Sequence, residues 1–322
     1  MKGITMAKEG NGIMKFLIVG AGAVGGYFGG RLLEGGADVT FLVRENRQKK
    51  LQETGLIVKS NYGNITLPVK TIVTGETVEP YDVIILSTKA YHLKEAMNDI
   101  GPYVGEETMI LPLLNGMAHY EALDRQFGKD RVIGGLCYIE STLDSEGAII
   151  QNGSMHEIVF GERSGHSSER IRQLATIFNK AKMDSQLSNE INQELWHKYL
   201  FIATMSGITT MMRASIGPIR STETGMATIS RLTKEIIEIM RSGGATLAKD
   251  IEDIQLNKVQ NLARTMKSSM QRDMERGLPV EVDHLHGYLL EIAKKENLEV
   301  PVLQSVYANL KIYEQILLEK QS

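Results

Sequence analysis

A short apolar run that feeds directly into a glycine-rich turn constrains this chain more than any other feature. Phe16-Leu17-Ile18-Val19 reads as a strand buried on both faces. It leads into Gly20-Ala21-Gly22-Ala23-Val24-Gly25 and then a helical stretch through Leu32 and Leu33, ending at Gly35-Gly36. Each glycine of this G-x-G-x-x-G spacing has a physical reason. Gly20 permits a tight turn, Gly22 lets backbone approach a pyrophosphate, and Gly25 allows close helix–strand packing. The helix start then offers free N–H groups to an anion. The pattern is weak alone, and a glycine-rich turn without ligand is the alternative. The strand before it and the helix after it supply the context of a dinucleotide loop.

The alternation continues. Val39 to Val43 reads as a second strand, Asp82 to Leu86 as another, and Met109 to Leu114 as one more, with a helical stretch over Leu93–Ile100. Strand–helix alternation predicts a doubly wound parallel sheet with helices on both faces. Beyond about Ser188 helical stretches take over: Ile191–Met212, Gly225–Lys249, Leu256–Arg276, Val282–Glu296 and Val302–Glu319, punctuated by Pro218, Pro279 and Pro301. At roughly 100–200 residues per domain, a chain of 322 residues suggests two domains. The division is a flexible tail over 1–13, a nucleotide-binding α/β domain over 14–188 and an all-α domain over 189–322.

Composition narrows the function classes. Apolar residues are 42%, charged residues 23% and the net charge is −3, with no basic cluster to support nucleic-acid binding. The single cysteine, Cys137, forms no internal disulfide, which fits a reducing compartment. Lys15 before an apolar run loosely resembles a signal peptide, but the glycines suit a phosphate loop better. No apolar run reaches the roughly 18 residues of a membrane span, so a cytoplasmic location is the reading. The seven histidines show no metal-ligand spacing, and His284 and His286 diverge on a helix. No protein metal site, G-x-S-x-G elbow or Walker A motif is found.

Strand ends supply the candidate ligands. An acidic residue at the end of the second strand would favour NAD, but the sequence there is Phe41-Leu42-Val43-Arg44. Arg44 is either a solvated charge or a partner for the 2′-phosphate of NADP(H). Lys89 either offsets ligand charge or is a loop lysine. Asn115 either hydrogen-bonds to a ligand or simply turns the chain before Gly116. Lys198 interrupts the stripe Ile191, Leu195, Ile202. It either snorkels to water or is a desolvated ammonium suited to general acid work. Glu281, in a first helical turn, either complements the helix dipole or accepts from a substrate hydroxyl.

Taken together, several segments resemble the ketopantoate reductase (2-dehydropantoate 2-reductase) family. They are Gly20-x-Gly22-x-x-Gly25, Leu42-Val-Arg44, Ser87-Thr-Lys89-Ala90, Asn115-Gly-Met117, Glu194-Leu-Trp-x-Lys198, Ser268-Ser269-Met270-x-x-Asp273 and Glu281-x-Asp283-x-x-x-Gly287. They occur in family order between about Lys15 and Val300. The resemblance implies a Rossmann domain for NADPH and a C-terminal domain of the 6-phosphogluconate dehydrogenase type that closes the cleft. It implies Lys198 as general acid, Asn115 on cofactor and substrate, Ser269 on the substrate carboxylate, and Glu281 at the substrate hydroxyl and cofactor.

One departure stands out. The family usually has asparagines four and eight residues after the lysine, where this chain has Ile202 and Ser206. Ser206 keeps a hydroxyl for the substrate. Losing one contact to a charged group costs about 1.5–3 kcal/mol, or roughly ten- to a hundredfold in affinity. The implied activity is reduction of ketopantoate to pantoate for coenzyme A synthesis. Reduction of another branched or aromatic 2-oxo acid, and a non-catalytic NADP(H) sensor, are the alternatives. Met205, Met211 and Met212 suit a homodimer contact or core packing equally.

Overall fold

The computed structural model describes residues 13–321. Residues 1–12 of the expected tail lie outside them. Strand β1 (Lys15–Val19) runs into α1 (Ala23–Glu34), followed by β2 (Asp38–Leu42), α2 (Glu45–Thr54), β3 (Leu56–Ser60), β4 (Ile65–Leu67) and β5 (Lys70–Ile72). Then come β6 (Tyr81–Leu86), α3 (Leu93–Ile100), β7 (Val104–Pro112) and α4 (Ala118–Phe127). The α/β portion ends with β8 (Gly134–Leu143), β9 (Ile149–Gly161), α5 (Glu169–Phe178) and β10 (Asp184–Leu187).

One sheet is parallel throughout, in the order β5-β2-β1-β6-β7. The chain starts in its middle, builds one side, then crosses to the other, so β1 and β6 form the switch point at which such sheets hold ligands. Phe16 and Ile18 of β1 pack with Tyr27 and Phe28 of α1, whereas Leu17 and Val19 pack with α3 and α4. Burial on both faces explains the unbroken apolar run of β1.

The second sheet has no counterpart in the sequence reading. It runs β10-β9-β3-β4, with β8 antiparallel to β9. Helix α1 lies between the two sheets, and Ile149, Ile158 and Phe160 of β9 share its core. Such close packing requires glycine: a Cβ on Gly29 would meet Phe41 at 2.7 Å, and one on Gly26 would meet Ile149 at 2.5 Å.

The remainder is helical. It comprises α6 (Ile191–Met212), α7 (Ile216–Arg220), α8 (Glu223–Ser242), α9 (Ile251–Asn261), α10 (Ser269–Glu275), α11 (Tyr288–Lys295) and α12 (Pro301–Gln321). Two expected helices differ. Gly243 and Gly244 end α8 before Lys249. The helix expected over Leu256–Arg276 is broken into α9 and α10. The reason is tertiary: Ile216 and Gly217 donate backbone N–H bonds to the carbonyls of Met266 and Arg264, holding that stretch away from helical geometry. Just before α11, Asp283–Gly287 forms one widened, π-helical turn. No helix among the described residues is long and apolar enough to cross a membrane.

Candidate active site

A cleft of about 1160 Å³ opens at the carboxyl ends of the parallel strands and is faced by α10 and Glu281 from the helical portion. Its floor is the glycine loop. Gly20 adopts φ +90°, a left-handed conformation that favours glycine, and its N–H bonds to the carbonyl of Leu42 at 3.0 Å. A Cβ on Gly25 would meet Ser87 Oγ at 2.2 Å and the Gly20 carbonyl at 2.4 Å, so only glycine lets α1 come this close. At Gly22, by contrast, a Cβ would meet nothing within 4 Å, because that side opens into the cleft. Helix α1 starts without a side-chain cap and without an acidic residue in its first turn. Its free N–H groups and positive dipole end suit an anion.

Two arginines flank this floor. Arg44 is exposed at the end of β2 and pairs with Glu95 at 2.9 Å. Arg47, absent from the candidates the sequence suggested, donates from Nη2 to the Ala21 carbonyl at 3.1 Å, while its buried Nε has no partner. Its place in the first turn of α2, one turn after Arg44, was the signal available.

On the opposite wall, Ser268 Oγ caps α10 by accepting from Gln271 N–H and also accepts from Thr209 of α6. That anchor leaves the next residue, Ser269, exposed at the cleft. Glu281 accepts from the Ala90 backbone N–H at 2.8 Å, and Lys89 pairs with Asp273 at 2.6 Å and approaches Glu281 at 3.6 Å. Burial works against the Lys89 ammonium, but Glu281 and Asp273 outweigh it and raise the lysine above its ordinary range. Lys89 is therefore already engaged by carboxylates rather than presented as a free charge.

Asn115 lies in the cleft at the end of the β7 segment, and Gly116 beside it takes φ +86°. Lys198 stands behind the cleft wall. It is 8% exposed, makes no ion pair among the described residues, and sits 5.6 Å from the ring of Tyr138. Burial lowers its ammonium below the ordinary lysine range, with the Cys137 thiol opposing. Cys137 itself lines the cleft. Ser206 is buried one turn beyond Ile202 on α6 and does not line the cleft, and Ile202 is half-buried against the helical core. The geometry thus gathers the loop, Arg44, Lys89, Asn115, Ser269 and Glu281 around one space, places Lys198 against its wall, and leaves Ser206 outside. No group of three metal-ligating side chains occurs among the described residues.

Residues 16–165 match the model described as ketopantoate reductase PanE/ApbA, and residues 190–314 match the model for the C terminal of the same proteins. The chain belongs to the ketopantoate reductase family. It is an oxidoreductase family whose α/β and helical portions both have counterparts here. An uncharacterized oxidoreductase of Bacillus subtilis, YkpB, is 46% identical over 301 residues, covering 94% of this chain and 99% of its own. The 2-dehydropantoate 2-reductase of Aquifex aeolicus is 26% identical, covering 94% and 97%. The crystal structure of 2-dehydropantoate 2-reductase from Geobacter metallireducens superposes with a TM-score of 0.84 at 28% identity, covering 92% of this chain and 99% of that one.

Proposed function

We propose that this ketopantoate reductase relative is an NADPH-dependent reductase of a 2-oxo acid, with ketopantoate as the leading substrate and pantoate as product. The observation that carries this reading is the pairing of an open, uncapped glycine loop with a buried lysine behind the wall of the same cleft. The residues present fit a dinucleotide: Gly22 faces open space, α1 offers free N–H groups, and Arg44 brings a guanidinium to the cleft at the end of β2, suited to a 2′-phosphate. When bound, the nicotinamide supplies the hydride.

The chain's own residues supply the rest. Lys198, as ammonium, donates a proton to the developing alkoxide, and its lowered pKa eases that transfer near neutral pH. Its positive charge also favours the transition state over the ketone. Asn115 orients the reacting groups, Ser269 hydrogen-bonds the substrate carboxylate, and Glu281 accepts from a substrate hydroxyl. Closing of α10 onto the glycine loop excludes water.

Ile139 and Leu143 line the cleft and favour a second reading in which a more apolar 2-oxo acid is preferred; Ile202 packs against the helical core rather than lining the cleft. The test is nicotinamide absorbance during turnover of purified protein with ketopantoate, a panel of branched and aromatic 2-oxo acids, and an NADH control. Rapid, ketopantoate-selective NADPH oxidation supports the first reading. Activity confined to other 2-oxo acids supports the second. Tight NADPH binding with no oxidation removes both and leaves a nucleotide sensor.

A further inference from the structure

We propose that the widened turn at Asp283–Gly287 is a positioning device, in which His284 fixes Asn115 at the cleft relative to Lys198 and His119 holds His284 in place. The inference rests on the proposed reading only in taking Asn115 and Lys198 as parts of the working site.

Three consecutive residues of the turn reach in three directions. His284 Nε2 lies 2.8 Å from the carbonyl oxygen of Asn115. The Leu285 carbonyl accepts from the hydroxyl of Tyr199, the residue after Lys198. His286 Nε2 lies 2.9 Å from the carbonyl of Ala203, further along α6. One turn is thus bonded both to the strand end that presents Asn115 and to the helix that presents Lys198, at Tyr199 and Ala203, two positions that follow the lysine. Single π-turns inside α-helices occur frequently at functional sites, and this one brings two histidine side chains and the Leu285 carbonyl to three partners.

The bonds fix the proton positions. A carbonyl oxygen only accepts, so Nε2 of His284 carries its proton. His119 Nδ1 faces that same Nε2 at 3.3 Å and must therefore be a bare acceptor. The proton of His119 is then on its own Nε2, which is buried without a partner. Both rings are neutral, as their surroundings require. Burial pushes His119 well below the ordinary histidine range, and His284, Lys198 and Arg163 push the same way. Burial also lowers His284, against the opposing pull of Glu281 and of the Asn115 carbonyl. Protonating His119 would set donor against donor at the pair, beside Lys198 and Arg163. Acid should therefore dismantle the contact to Asn115. Gly116, where a Cβ would meet Leu285 at 3.1 Å and His284 at 3.2 Å, shows how closely the turn abuts this strand end.

Two variants and one activity-independent measurement test this. His284→Ala should lower kcat by about tenfold or more, the size of effect a misplaced group produces, while NADPH affinity changes far less. His284→Gln keeps an N–H donor and should restore most of the rate, while flattening the acid limb of the pH–rate profile. Nitrogen-15 NMR of labelled histidines should show His119 and His284 as neutral Nε2–H tautomers at pH 7, and His284→Ala should shift the Asn115 and Gly116 amide resonances. A charged or Nδ1–H His284, or a folded His284→Ala protein with unchanged kcat and unchanged Asn115 resonances, would overturn the inference. The tautomers and resonances are read without turnover. A wild-type protein inactive on every 2-oxo acid would therefore sink the functional reading while leaving this one decided.

Discussion

Lys89 and Asp273 stand 184 positions apart in the chain and meet at 2.6 Å across the cleft, joining the α/β portion to α10. The lysine is thus held by a carboxylate, and if Lys89 serves the proposed nucleotide, the nucleotide would have to compete with Asp273 for it. Asp273→Asn should tighten NADPH binding, by up to about fivefold given the partial exposure of the pair. Lys89→Met should weaken it. Fluorescence titration at low and high salt checks both, and an unchanged Kd in Asp273→Asn would show that Lys89 plays no part in holding the nucleotide.

The two inner glycines of the loop should fail in different ways. Gly25→Ala puts a Cβ 2.4 Å from the Gly20 carbonyl and should cost folding stability, read as a lower Tm. Gly22→Ala meets nothing within 4 Å, so it should fold normally yet lose nucleotide affinity, because the methyl occupies the approach of a phosphate. A Gly22→Ala protein with wild-type affinity would place the pyrophosphate elsewhere.

Arg44 and Arg47 should separate cofactor choice from loop support. The Arg44–Glu95 pair is exposed on both sides, so Arg44→Ala should leave Tm essentially unchanged. It should weaken NADPH roughly ten- to a hundredfold with little effect on NADH, the amount expected for a lost charge-assisted contact. Arg47 braces the Ala21 carbonyl, so Arg47→Met should weaken both nucleotides together. Paired kinetics with NADPH and NADH distinguish the two outcomes.

Lys198→Ala should lower kcat by about a hundredfold or more while leaving NADPH affinity nearly intact. Because burial lowers this ammonium and the reaction consumes its proton, the wild-type rate should fall as pH rises through a value below the ordinary lysine range. A rate that survives the substitution removes Lys198 as the acid.

His286 offers a stability test. Burial moves it from 6.5 to about 4, so the unfolded chain takes up a proton that the native state refuses. Its contribution is fully present above pH 6.5 and is lost as pH falls towards about 4, on the order of 3 kcal/mol over the window. Urea midpoints measured across that range should fall less steeply in His286→Gln, whose amide can still donate to Ala203.

Where local sequence decides conformation, the sequence reading and the structure agree. The strand β1, the glycine loop and α1 follow from an apolar run and three glycines, and α6 spans Ile191–Met212 as its periodicity indicates. The second sheet escaped because its longest strand changes character along its length: β9 has apolar, buried ends at Ile149 and Ile158-Val159-Phe160, but they are separated by the polar, Gly-containing stretch Gln151-Asn-Gly-Ser154, which reads as a turn. The α9–α10 break escaped because partners on α7 impose it. Lys198 was visible as an interruption in an apolar stripe, but whether it reached water was decided by β8, which the sequence does not place. His119 and His284 lie 165 positions apart, and no spacing rule brings such a pair together.

Strand β8 belongs to the mixed sheet rather than to the one that carries the glycine loop, yet Cys137, Ile139, Ser141 and Leu143 from it line the cleft. An irregularity in the β8–β9 register between Ile139 and Ser141 lets Glu140 and Thr142 line the cleft as well, so a single substitution along this stretch resizes or repolarises one side of the pocket. Ser141 also supports the glycine loop, because its hydroxyl donates to the Ala23 carbonyl at 3.0 Å. Substitutions at Cys137, Ile139 or Leu143 would therefore reshape this side of the cleft while leaving the conformation of the glycine loop in place.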